Sequence, residues 1–246
     1  PTVFSGETRV DNVALFGSIG FDFTDRWEAT AELRYAEDTV GNYNAIARPT
    51  GPLIENTFDS VSPRVTTTFK FTPENMIYAN VAKGNKPGVI NPDPRFPPEV
   101  RFADEEESWN YEVGTKNRLF DGRVMANLAL YYIDWKDQQI TTAFTFPTGG
   151  TQSYIRNAGA TEIKGAELEL EAAVTDSFTA GLTYSLTDTE FIELSDGEAL
   201  QLFGNASLKG KKLFGVPEQQ ASTYGKLTFP VGADKSGFVR GDISFT

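Results

Sequence analysis

The 246-residue chain contains no cysteine and no histidine. Without cysteine there is no disulfide framework, no thiolate nucleophile and no thiolate metal site. Without histidine the commonest general base and metal ligand is gone, and no Ser/His/Asp or Cys/His set can be assembled. Positive charge is also in deficit. The formal net charge is -12, so nucleic acid is excluded as a natural partner. No apolar run approaches the roughly 18–20 residues of a membrane helix. The opening "PTVFSGETRV" has no initiator Met, basic n-region or apolar h-region. The closing "RGDISFT" stops inside a strand-like pattern. We therefore expect a fragment, cut at both ends.

What is present favours strands and turns. Aromatics make up 13% of the chain, with 22 Gly and 13 Pro. The stretch "NAGATEIKGAELELEA", residues 157–172, shows the pattern at its cleanest. Ala166, Leu168, Leu170 and Ala172 alternate with Glu167, Glu169 and Glu171. A period of two is the strand period and puts the two rows on opposite faces. The same alternation recurs along the chain as five hairpins. Their tight turns fall near residues 25, 73, 121, 175 and 233, which gives roughly ten strands of about 9–12 residues. The facing of 76–83 is ambiguous from sequence.

Between the hairpins lie long links at about 39–60, 84–107, 137–153 and 191–216. Short turns at one edge and long loops at the other are the mark of an outer-membrane β-barrel. A tilted membrane strand needs about 9–11 residues, whereas soluble sandwich strands are nearer 5–6. The expected fold class is all-β, a transmembrane antiparallel up-and-down β-barrel, with 1–246 part of one barrel domain. The aliphatic row then faces outer-membrane lipid and the polar row a wet lumen. On this reading Glu167, Glu169, Glu171, Arg64, Lys70, Glu112 and Lys116 face the lumen, and the three glutamates pair with Lys or Arg on neighbouring strands. Trp27, Trp109 and Trp135 are expected in interfacial girdles or loop packing.

Four blocks carry a family resemblance: "ALFGSIGFDFTDRWEATAELRYAED" (14–38), "SPRVTTTFKFTPENMIYANVAKGNKPG" (62–88), "ESWNYEVGTKNRLFDGRVMANLALYYIDWKDQQI" (107–140) and "RNAGATEIKGAELELEA" (156–172). In this order they resemble the barrel of TonB-dependent outer-membrane receptors. The resemblance implies a barrel of about 22 strands around a separate plug, of which this chain supplies about ten strands. It implies active uptake of a small-molecule chelate, most often a ferric siderophore, energised through the periplasmic TonB coupling protein. The plug, its coupling motif and the closing strands fall outside this sequence, and Asn85 stands where the family often has an aromatic. A passive channel or adhesin-like barrel shares every strand-level signal. A soluble carbohydrate-binding β-protein is the remaining alternative, and solubility without detergent separates it.

Candidate ligand-contacting residues lie in the links, which would be extracellular. In "NPDPRFPPEVRF" (91–102), Arg95 and Arg101 suit an anionic chelate, and Phe96 and Phe102 suit its aromatic parts. The alternative is that they pack the loop on itself. Phe144, Phe146, Tyr154 and Arg156 repeat that theme. "ADEEES" (103–108) offers oxygen ligands without the spacing of a calcium loop, so a solvated loop is expected and no metal site. "GNKPG" (84–88) reads as a bend, and "NAG" with Gly165 as a bulge or close approach. "GNASLKGKK" (204–212) mimics a phosphate loop, but its glycines are one position too far apart and no Ser or Thr follows the lysine. No catalytic residues and no cofactor are expected; a ferric chelate would be cargo.

Overall fold

The structure is a computed structural model that describes residues 6–44, 54–194, 207–232 and 234–246. Its main element is a ten-stranded antiparallel sheet in which each strand pairs with its neighbours in chain order. The strands are β1 (Gly6–Thr24), β2 (Trp27–Asn44), β3 (Ile54–Thr72), β4 (Asn75–Lys86), β7 (Glu106–Leu119), β8 (Val124–Thr145), β9 (Thr151–Ala173), β10 (Phe178–Leu194), β11 (Gln219–Pro230) and β12 (Ser236–Phe245). Between β4 and β7 the chain forms a small ribbon of β5 (Val89–Ile90) and β6 (Phe102–Ala103), joined through a 3₁₀ turn at Pro98–Val100. Among the described residues β1 and β12 are the sheet's two edges.

The register converts ten separate alternations into two continuous faces. Leu15 stands opposite Tyr35, and Tyr35 opposite Val61. Val65 pairs with Val81, Val81 with Tyr111, and Tyr111 with Tyr132. Further on, Leu128 pairs with Leu168, Leu168 with Tyr184, and Tyr184 with Ala221. Directly opposed residues share a face, so every apolar row falls on the same side of the sheet. A slip of one residue at any pairing would send the rows beyond it to the wrong side. The register also settles 76–83: Ile77, Ala79 and Val81 join the apolar face, and Tyr78 and Asn80 the polar one.

Among the described residues nothing covers that apolar face. Leu15, Ile19, Val65 and Ile243 are 77%, 76%, 51% and 72% exposed. Water would charge about 25 cal/mol for each Å² of such surface, so the face requires an apolar surround. The expected turns are found at 25–26, 73–74, 120–123, 174–177 and around 231–235.

Strand length differs from expectation. The wall strands run from 10 to 23 residues, and the longest, β8 and β9, have 22 and 23. The excess comes from the links. The segment read as a loop at 137–153 is mostly ladder, with Thr145 paired to Thr151 across a short turn. Polar strand extensions beyond a membrane carry no period-two apolar signal, which is why the sequence reads them as loop.

Three glycines on the polar face sit under tyrosine rings from the adjacent strand. A Cβ on Gly114 would come within 2.6 Å of the Tyr78 hydroxyl, and one on Gly165 within 2.2 Å of the Tyr131 ring. At Gly181 the Tyr224 ring would be 2.1 Å away. Each pair is directly opposed in register. The close approach expected at Gly165 is thus a ring lying flat across the glycine, a device that covers bare backbone and pins register.

Candidate functional site

Two surfaces can do chemistry: the polar face of the wall, and a cap built at the ends of the long strands. On the polar face, β2 to β4 carry matched charges. Arg64 lies 3.5 Å from Glu32 and donates to Asn80 at 3.1 Å; Lys70 pairs with Glu28 at 2.8 Å. From β7 to β11 the acids are held differently. Tyr78 donates to Glu112 at 2.6 Å, Asn127 to Glu169 at 2.9 Å, and Tyr224 to Glu171 at 2.5 Å. Lys116 lies over the Tyr78 ring at 5.7 Å.

The expected Lys or Arg partners of Glu167, Glu169 and Glu171 are not found among the described residues. Neighbouring strands offer hydroxyl and amide donors in their place, because the opposed positions are Ala129, Asn127 and Met125 on β8 and Ser185, Thr183 and Gly181 on β10. A trough of about 590 Å³ opens here, lined by Tyr78, Lys116, Asn127, Glu167, Glu169 and Thr183 among others. Lys116 is the cation among the residues named, and among the described residues neither Glu167 nor Glu169 forms an ion pair.

The cap is the segment from Pro87 to Glu105, laid against the polar side of the strand extensions. Four side chains fasten it. Asn91 exchanges two hydrogen bonds with the backbone of Ile155, at 2.8 and 2.7 Å, and also donates to the Val100 carbonyl. Asn157 donates to the carbonyls of Asp104 and Asp137 and accepts from the Asp104 amide at 2.7 Å. Gln139 donates to the carbonyls of Pro87 and Asp104. Glu106, 4% exposed, accepts from Lys86 and the Gln139 amide at 2.8 Å and from the Trp135 indole at 2.9 Å. Gly88 is the steric requirement: a Cβ there would stand 2.1 Å from the Phe58 ring and 2.5 Å from the Ala103 carbonyl.

The sequence-predicted contact residues divide within this cap. Phe96 is 2% exposed and packs on Phe144 and Phe146, both at 5.6 Å between ring centroids, and on Tyr154 at 5.9 Å. These rings form a small core that holds the cap to the β8–β9 hairpin. Arg101 donates to the carbonyls of Phe96 and Pro94, which staples the loop on itself. Arg95 is different: its guanidinium grips Asp93 at 2.6 Å, lies 4.6 Å from the Phe146 ring centre and stays 62% exposed. Phe102, opposite Ile90 in the small ribbon, is 37% exposed. Arg156 stands opposite Ile140 in the hairpin ladder. Arg95 and Phe102 are therefore the members of the set that present themselves to solvent most.

The electrostatics follow from packing. The hydrogen bond from Arg95 holds the Asp93 carboxyl below its usual range. Burial, aided by the charge of Asp59, pushes Glu105 up. The acids of 103–108 are thus not a solvated loop; Glu106 is the buried acceptor on which the base of the cap depends. Trp135 is turned to that acceptor, whereas Trp27 and Trp109 stand in register with the apolar rows. The register shift between Gln138 and Gln139, opposite Asn157 and Gly159, is the bulge expected at "NAG". The fastening roles of Asn91, Gln139 and Asn157 were not anticipated, since isolated Asn and Gln carry no pattern.

Residues 1–242 match the family model described as TonB dependent receptor-like, beta-barrel. The pesticin receptor of Yersinia enterocolitica is 24% identical over 195 residues, covering 78% of this chain and 28% of the relative. The probable TonB-dependent siderophore receptor PiuA of Acinetobacter baumannii is 24% identical over 255 residues, covering 98% of the chain and 33% of the relative. Among solved structures, the ferric yersiniabactin uptake receptor FyuA from Yersinia pestis superposes with a TM-score of 0.73 at 20% identity, over 97% of this chain and 34% of that one. The chain thus spans about a third of the length of these relatives.

Proposed function

The chain belongs to the TonB-dependent receptor β-barrel family of the bacterial outer membrane, and from that premise we propose that it is wall and cap of an active uptake receptor for a ferric siderophore. Members of this family are transport receptors and not enzymes. The register carries the barrel, joining ten apolar rows into one surface and ten polar rows into another, and the family match over residues 1–242 is the observation that favours active uptake over a passive channel. The five turns anticipated from sequence lie at one edge, and the fastened cap, with the β8–β9 turn, at the other.

In this reading the cap lies on the extracellular side and Arg95 and Phe102 meet the cargo. A guanidinium offers charge and planar hydrogen bonding to an anionic chelate, and the Phe ring offers a stacking surface. Glu167 and Glu169, which have no ion-pair partner among the described residues, favour basic groups on whatever fills the lumen, which we take to be the receptor's own plug domain. Periplasmic TonB would act through that plug. The cargo assignment draws support from the names of relatives, which include siderophore receptors and also a metal-pseudopaline receptor.

The test uses the complete receptor in a host lacking its own siderophore receptors. Growth under iron limitation on supplied ferric siderophores should appear, and should vanish when the TonB coupling protein is deleted. Uptake that survives that deletion would make the barrel a passive channel. Growth restored by other metal chelates but by no ferric one would replace the cargo.

A further inference from the structure

Arg95 is held on two sides and open on a third. Its Nε and Nη2 donate side-on to the Asp93 carboxylate, at 3.0 and 2.6 Å, and its backbone amide donates to the same group at 3.0 Å. The guanidinium also lies 4.6 Å from the centre of the Phe146 ring, which is buried. The Asp93 side chain is 16% exposed, so it is a built-in partner of Arg95. A guanidinium has five N–H donors in a rigid fork. The side-on grip occupies one edge, and Nη1 has no partner among the described residues. One planar edge is therefore left for a ligand, in a plane that Asp93 and Phe146 fix in advance.

The surface around that edge offers an anion little else. Arg101, the other arginine of the cap, spends its Nε and Nη2 on the carbonyls of Phe96 and Pro94. Residues 87–105 set four acids, Asp93, Glu99, Asp104 and Glu105, against these two arginines. Glu99 and Asp104 are exposed. The tip of the β8–β9 hairpin on which the cap packs, residues 140–155, contains no charged side chain. A single carboxylate matches the open edge of Arg95. A ligand with several negative charges finds one cationic edge and meets like charge at Glu99 and Asp104, which disfavours it.

We propose that Arg95 selects a ferric chelate that presents one carboxylate on an otherwise weakly charged surface, and that Asp93, by neutralising the guanidinium from its other edge, discriminates against polyanionic chelates. The inference rests on the siderophore reading above and narrows it to a charge class. Arg95 is the contact and Asp93 the positioning residue. Phe146 holds the plane of the fork, so that the carboxylate meets two N–H groups at once.

The experiment is calorimetric binding to the complete receptor in detergent, with three probes: a ferric tris-hydroxamate bearing one pendant carboxylate, the same complex with that carboxylate amidated, and a ferric tris-catecholate. Wild-type receptor should bind the carboxylate form about tenfold more tightly than the amide, the worth of a charge-assisted hydrogen bond, and should bind the strongly anionic tris-catecholate most weakly. Arg95→Gln should erase the preference for carboxylate over amide and leave binding of the amide form in place. Asp93→Asn should improve binding of the tris-catecholate more than that of the other two. Equal binding of the carboxylate and amide forms by wild type overturns the proposal without any variant. So does a tris-catecholate bound as tightly as the carboxylate form, or a carboxylate preference that survives Arg95→Gln. Binding in the wrong charge order removes this narrowing alone, whereas binding of none of the three ferric probes removes the siderophore reading and the narrowing with it.

Discussion

The two ends of the sheet are built on different principles. At the long-strand end the protein buries its own residues: Ala36, Val40, Phe58, Phe96, Phe146, Thr161, Phe191 and Leu194 are all under 9% exposed. Toward the tight turns the described residues that are comparably buried are Gly114 and Gly181, each under a tyrosine ring. There Phe23, Trp27, Val174 and Phe229 are 40% exposed or more. The first end stabilises itself through packing and hydrogen bonds within the chain. The second is a wall one residue thick, whose apolar side draws its stability from lipid and whose polar side faces whatever fills the lumen. Mutations at the two ends should therefore fail for different reasons, and the surroundings should matter only for one.

The largest effect is expected in the wall. Leu168 lies in the middle of the lipid-facing row of β9, and Leu168→Arg should destabilise the complete receptor by about 2–4 kcal/mol in bilayers. Glu169→Arg, one residue away on the wet face, should be much milder. Urea titration of folding into lipid vesicles measures both. If the two variants are equally mild in a folded barrel, the assignment of faces is wrong.

Next comes the cap. Glu106→Gln keeps the shape but offers one acceptor oxygen where two were used, so the Trp135 indole or the Gln139 amide loses its partner. A buried donor left without an acceptor costs about 1–3 kcal/mol. Unlike the Leu168 effect, this loss should be nearly the same in detergent and in lipid. Gly88→Ala probes the same region through sterics: with the Phe58 ring and the Ala103 carbonyl in its path, overpacking should cost about 1–3 kcal/mol and raise proteolysis within 87–105. Unchanged proteolysis would mean that the cap is not held where the structure puts it.

The same contrast governs what could be read from sequence. The wall was legible almost residue by residue, because a surface with lipid on one side and water on the other imposes a strict period of two. Leu168 and Glu169 need no neighbours to declare their faces. The cap was legible only as "long link". Its determinants are single residues such as Asn91, Asn157 and Glu106, whose partners lie many positions away and obey no period. Phe96 shows the limit: an aromatic beside arginines suggested a ligand contact, and the structure places it in a core of four rings. Arg95 and Arg101 looked equivalent in sequence, yet one staples the loop's own carbonyls and the other stays open to solvent. The ion-pair partners expected for Glu167, Glu169 and Glu171 failed for a related reason, since facing predicts wetness but not which donor stands opposite.

The smallest effect tests whether the cap is a self-contained unit with its own titration. Burial holds the Glu105 proton more tightly in the folded protein than in the unfolded chain. Between those two pKa values the folded form binds more protons, so stability of the cap should rise as pH falls through the folded value and the gain should be complete below the unfolded one. Asp93 has the opposite sign. Its pairing with Arg95 lowers the folded value, so that contribution is present above the unfolded pKa and is lost as pH falls through the folded one. Going from neutral to acid, the amide protection of Phe96 and Val100 in hydrogen exchange should first increase and then decline. Glu105→Gln should abolish the first phase and leave the second, and Asp93→Asn the reverse. The tight-turn end should show neither phase. A rise that persists in Glu105→Gln would mean that burial of Glu105 is not what makes the cap respond to acid.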